Sequence, residues 1–250
     1  MIKGQHALTS GGTDGPWGLD DQTLLEQTLD DLRAHAGERT FTTVLTSGTH
    51  PPYQTPESNN DKASAFAFAS KSVGWFVEQL RADGLLDETL VLVASDESSA
   101  IRPAAADHPM PIPPANHGYL LALGAGLTAG EQLALFGQVD IAASVLDVLG
   151  LPRAGFGGAS VFRRLSGERT LLAADAYKKA IYAISEQSVV RCDQALSCFD
   201  AEGTAIDPAG IRALLARNEL RRVDDSPLLA QMPARDYAAD QANMLLGRYL

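Results

Sequence analysis

Residues 89–99 read TLVLVASDESS, a block of five apolar residues between Thr89 and Ser95 that stops on two neighbouring carboxylates, Asp96 and Glu97. An apolar run this short, without polar alternation and bounded by polar residues, suits a strand covered on both faces. In an open parallel α/β sheet, ligands gather beyond the carboxyl ends of the strands. The end of this strand is therefore where chemistry is expected. A plainer reading is that Asp96 caps the following turn and Glu97 is solvated.

Upstream, the stretch from Lys62 carries Phe66, Ala69, Val73, Phe76, Val77 and Leu80 at helical spacing, and Gly84 marks its end. Earlier still, WGLDDQTLLEQTLDDLRAHAGE (17–38) offers Asp20 or Asp21 as an N-cap. It repeats Leu24, Leu25, Thr28, Leu29 and Leu32, and stops at Gly37. Between the two helices, FTTVLTSGTHPPY (41–53) is β-branched and apolar as far as Thr46, which predicts a strand, and Ser-Gly and Pro-Pro then force a loop.

Downstream of Asp96, the proline-dense IRPAAADHPMPIPPANH (101–117) reads as a surface loop. GYLLALGAG (118–126) reads as a short buried strand, and VDIAASVLDVLGL (139–151) as an almost wholly apolar helix closed by Gly150 and Pro152. Helices alternating with apolar strands predict an α/β fold in three layers, a mainly parallel sheet with helices on both faces. From Ala176 the texture changes to short alternating runs joined by turns, which predicts a small C-terminal antiparallel sheet followed by helical stretches over 208–217 and 226–249. The expected organisation is a flexible arm over 1–16, an α/β domain over 17–170 and a small subdomain over 171–250.

The 250 residues carry 31 acidic and 20 basic side chains, a formal charge of -11. Arg163-Arg164 and Arg221-Arg222 are pairs rather than a basic stripe, so nucleic acid is not expected as a partner. No apolar run approaches the roughly 20 residues that span a bilayer, and MIKGQHALTSGG lacks the apolar centre of a secretory signal. The two cysteines, Cys192 and Cys198, flank DQAL in what reads as a hairpin; a disulfide and two free thiols both fit that spacing.

Two predicted strands end in polar groups, one at Thr46, Thr49 and His50, the other at Ser95, Asp96 and Glu97. Carboxylate oxygens suit hard divalent cations such as Mg or Mn, and a nearby histidine can ligate the metal or hold an anionic oxygen. His108 and His117, in or just after the proline-dense loop, are accessory candidates that could swing over the site, and the plainer reading places each in solvent. Nucleophile elbows, P-loops, dinucleotide fingerprints and H-E-x-x-H are absent from the sequence.

The order WGLDD, THPPY, long helix, LVLVASDE, GYLLALG, VDIAASVLDVLGL resembles the second half of the alkaline phosphatase and sulfatase superfamily over about residues 17–165, and looks most like its lipoteichoic-acid synthase and phosphoglycerol transferase branch. The resemblance implies a phosphate- or sulfate-ester substrate, lipid-derived in that branch, a catalytic Mn or Mg, and action on the extracytoplasmic side of a membrane. It matches Asp96 to the metal-binding aspartate and His50, with Thr49, to the loop that contacts the substrate. It also gives Asp140 a structural role at the start of a buried helix.

Two departures accompany it. Glu97 stands where the family has a metal-binding histidine, and the family's nucleophile lies in an N-terminal half with no counterpart here, which leaves pairing with such a half as a possibility. C-x-P-x-R is absent as well. Two functional expectations follow: part of a metal-dependent phosphoglycerol transferase or sulfatase-like hydrolase, incomplete for catalysis as this chain, or a non-catalytic binding or assembly module.

Overall fold

In the computed structural model, which describes residues 14–15, 17–96, 118–132, 134–151, 158–166, 169–175, 179–186, 188–195, 197–207, 209–211 and 221–223, Asp20 opens the first long helix. Its carboxylate takes the backbone N–H of Thr23 at 3.0 Å and the Thr23 hydroxyl at 2.8 Å, satisfying donors that a helix start leaves free. Two short strands, β1 (Asp14–Gly15) and β2 (Gly18–Leu19), pair antiparallel just before it. The helix, α1 (Asp21–Ala34), buries Leu25 and Leu29 against α2 (Lys62–Ala82), which contributes Phe76, Val77 and Leu80. Asp61 caps α2, and Gly84 ends it with the positive φ of 72° that a residue without Cβ adopts freely.

The predicted strand over 41–46 is a finding of a different kind. The backbone there is irregular and joins no ladder, with Phe41 69% and Leu45 84% exposed. A strand exists only beside a neighbour that takes its N–H and C=O groups. Among the described residues none runs beside this segment.

The chain divides into two compact units, 1–91 and 92–250, with the boundary inside strand β3 (Leu90–Ala94). After a 3-10 turn over Leu85–Asp87, β3 forms where TLVLVASD predicted it and pairs with β4 (Leu120–Gly124). Helix α3 (Val139–Val148) follows, burying Asp140, Ala143, Ser144 and Val148.

The C-terminal part is antiparallel, as the change of texture predicted. Strands β6 (Thr170–Asp175), β7 (Ala180–Ser185), β8 (Val189–Cys192), β9 (Cys198–Phe199) and β10 (Ala205–Ile206) form one five-stranded sheet in the order β10-β9-β8-β7-β6, while β5 (Arg164–Ser166) pairs with β11 (Arg221–Val223). Side-chain alternation along β7 and β8 feeds two clusters. Ala180, Tyr182, Ile184 and Val189 pack with Leu135, while Ala183, Val190, Cys192 and Cys198 pack with Ile206 and Ile211. Cys192 and Cys198 face each other in register across β8 and β9 and form a disulfide, which decides between the two states their spacing allowed. Among the described residues no helix is long and apolar enough to cross a membrane.

Candidate functional site

The loop that carries Thr49 and His50 is built onto the start of α1. Asp21, in the first turn of that helix, is fully buried at 0% exposure. Its Oδ1 accepts the backbone N–H groups of Ser47 and Gly48, each at 3.0 Å. The approach is so close that a Cβ on Gly48 would stand 2.6 Å from Asp21 Oδ2, inside any real contact distance. Glycine is required there by space rather than by φ. The other oxygen, Oδ2, has no hydrogen-bond partner among the described residues.

Beyond this anchor the chain turns sharply, with His50 N–H donating to Ser47 O at 3.0 Å and Tyr53 N–H to His50 O at 2.9 Å. Trp17, just before β2, donates its indole Nε1–H to Pro51 O at 2.8 Å and sets its ring edge-on to the His50 imidazole, centroids 4.6 Å apart at 71°. His50 Nδ1 lies 2.8 Å from the same Pro51 oxygen. A carbonyl only accepts, so Nδ1 carries the proton in this contact and Nε2 is the nitrogen left for a ligand. In the neutral ring Nε2 accepts; in the imidazolium it donates to an anionic oxygen. His50 itself is exposed, and a shallow recess beside it is lined by residues from Trp17 to Asp20 and by Ser47, Gly48, Pro52, Gln54, Thr55 and Pro56.

Asp96 sits in the other unit, exposed, immediately past β3. The backbone delivering it is pinned twice. Ser95 N–H donates to Tyr119 O at 3.2 Å while Tyr119 N–H donates to Ser95 Oγ at 2.9 Å, and Gln138 Nε2 donates to both Ser95 O and Asp96 O. Gln138 immediately precedes α3, so the helix start and the strand end are fastened by one side chain.

Beneath that start, Asp140 is fully buried and accepts four hydrogen bonds: Gly137 N–H and Ala159 N–H at 2.7 Å each, and Arg169 Nη1 and Nη2 at 2.8 and 2.5 Å. Ser144 extends the network, donating to Asp140 O at 2.6 Å and accepting Val161 N–H at 2.9 Å.

Thr49 and His50 thus share one loop, and Asp96 belongs to a separately described unit. Glu97, His108 and His117 lie outside the described residues. Among those described, no three His, Cys, Asp or Glu side chains gather as a metal set would. Sequence reasoning missed Trp17, Gln138 and Arg169, and it read Asp21 only as a possible helix cap. The WGLDD motif held the signal for two of these, because an aromatic and a second carboxylate beside the capping aspartate had no helical task.

The chain has the fold of the alkaline phosphatase superfamily. A crystal structure of a protein in that superfamily from Vibrio parahaemolyticus superposes with a TM-score of 0.67 at 16% sequence identity, covering 97% of this chain and 59% of that one. The chain therefore spans somewhat over half the length of that structure. The Sulfatase family model matches residues 4–151, and the chain belongs to the Sulfatase family. No curated protein matches it.

Proposed function

We propose that this chain is the substrate-holding part of a sulfatase-family catalytic unit of the phosphoglycerol transferase lineage, binding a phosphate or sulfate ester through His50 and Thr49. The observation that carries the reading is the presentation of His50. Its loop stem is clamped by Asp21, its ring orientation is set by Trp17 and Pro51, and one ring nitrogen is left for a ligand. Fixing a side chain that gains nothing from burial is what ligand binding requires and what stability alone does not.

Asp96 is the proposed single donor from this unit to a hard divalent ion, Mn or Mg, with Glu97 beside it. The nucleophile is not assigned to any residue of this chain, so the expected behaviour of these 250 residues is ester-oxygen binding without turnover.

The test is an NMR titration of the imidazole resonances with inorganic phosphate and glycerol phosphate, alongside Mn calorimetry. His50 signals that shift saturably in the wild type, with binding lost in His50→Ala, support the reading. Phosphate affinity unchanged in His50→Ala removes it. Mn heats that do not differ between wild type and Asp96→Ala remove the metal assignment separately.

A further inference from the structure

We infer that Asp21 is a positioning residue, a buried carboxylate whose task is to hold the His50 loop in its ligand-binding geometry rather than to stabilise α1. The inference rests on the reading of His50 given above and adds the residue through which that geometry is set.

Three observations carry it. First, the helix already has its cap. Asp20 satisfies Thr23 through both carboxylate oxygens, and among the described residues the Asp21 side chain bonds the loop rather than α1. Second, Asp21 spends one oxygen on two consecutive amides of the loop, Ser47 and Gly48, two residues and one residue before Thr49. Two N–H groups on one carboxylate oxygen fix both the position and the direction of the backbone leading to His50, and bonds to an ionised acceptor are the stronger kind.

Third, the arrangement is unfavourable for stability in one specific way. Asp21 Oδ2 is buried and unpartnered among the described residues, which costs the desolvation of a charged oxygen without return. Gly48 leaves the space that lets the loop come this close, since any Cβ would collide with that same oxygen. A contact kept solely for folding would be served as well by a neutral side chain with its second atom satisfied. The geometry instead favours an unyielding acceptor facing the loop.

The positioning can be read without any ligand. In the wild type, 15N shifts of the His50 imidazole report the Nδ1–H form bonded to Pro51. Asp21→Ala and, independently, Gly48→Ala shift the ring toward mixed tautomers and weaken phosphate binding by about tenfold or more, as displacements of about an ångström in binding groups do. Asp21→Asn, which keeps an oxygen for both amides, restores both readouts. The double variant Asp21→Ala/Gly48→Ala is no worse than Asp21→Ala alone, because the collision that Gly48→Ala introduces disappears with the carboxylate.

A merely structural role lowers the melting temperature in these variants and leaves the His50 tautomer and phosphate affinity where they were; that result overturns the inference. So does an Asp21→Asn variant that behaves like Asp21→Ala, or additive losses in the double variant. A wild type whose His50 never responds to phosphate refutes the function proposed for His50. The ligand-free tautomer data then still decide whether Asp21 sets the ring.

Discussion

Arg169→Met tests the most heavily buried ion pair among the described residues. The guanidinium is 5% exposed and its partner Asp140 is 0% exposed. Of the four donors that reach the Asp140 carboxylate, the substitution removes two and leaves the amides of Gly137 and Ala159. It also releases Leu135 O, which accepts Arg169 Nη1 at 2.9 Å, and the guanidinium's contact over the Phe136 ring. Breaking a buried pair by removing one partner costs about 3–5 kcal/mol, because a charge is left without compensation in a poorly polarisable interior. Domains of ordinary stability have about 5–15 kcal/mol in total, so the loss takes a large share.

The assay is urea unfolding combined with hydrogen exchange, and protection is expected to fall across α3 and β6, the elements that Asp140 and Arg169 join. The double variant Asp140→Asn/Arg169→Met leaves no buried charge and recovers about 1–2 kcal/mol of the loss, on the same desolvation argument. An Arg169→Met variant that loses under about 1 kcal/mol, or a double variant less stable than the single one, refutes the claim that an uncompensated charge dominates.

Ser144→Ala strands the Val161 amide, which now donates to the Ser144 hydroxyl, and should cost about 1–3 kcal/mol in the same unfolding assay. Reducing the Cys192–Cys198 disulfide opens a short loop and should lower stability by about 2 kcal/mol, with the loss of exchange protection concentrated in β8 and β9. Asp61, the α2 cap, is held below the usual carboxylate range first by the Ser64 hydroxyl and then, against the opposing effect of desolvation, by the Ala63 and Ser64 amides. A depressed folded-state pKa means its contribution is present above about pH 4 and is lost as pH falls through the folded value. The 13Cα shifts of residues 62–64 should therefore move toward coil values on acidification in the wild type and stay flat in Asp61→Asn.

What could be read from the sequence was what is written locally. Asp20, Gly84 and the apolar spacing of α1 and α2 specify helix starts, stops and faces within a few residues, and those helices stand where the pattern puts them. The run from Leu90 to Ala94 is a strand for the same reason. Residues 41–46 have the composition of a strand and lack its neighbour, which no local pattern reveals. Arg169 was invisible for a related reason, since its partner lies 29 residues away and nothing in the surrounding sequence marks a buried charge. The hairpin placed Cys192 opposite Cys198, but their oxidation depends on geometry that spacing does not contain.

Two fully buried aspartates at helix starts show how far one chemical device can be turned to different ends. Asp21 and Asp140 each sit in the first turn of a helix, where the positive end of the macrodipole favours a carboxylate, and each accepts two backbone amides. From there they diverge. Asp140 spreads its amides over both oxygens and adds a guanidinium fork, so every strong acceptor direction is used and the charge is compensated. Asp21 puts both amides on one oxygen, leaves the other unpartnered among the described residues, and faces a glycine. Were both contacts structural, the same requirement to satisfy buried charge would act on each and the two would converge. They do not, and the incomplete one is the aspartate beneath the histidine loop. Local strain and unsatisfied polarity tend to persist where the surrounding structure is arranged for function. On that argument Asp140 tells us what holds the second unit together, and Asp21 tells us which contact the His50 loop depends on.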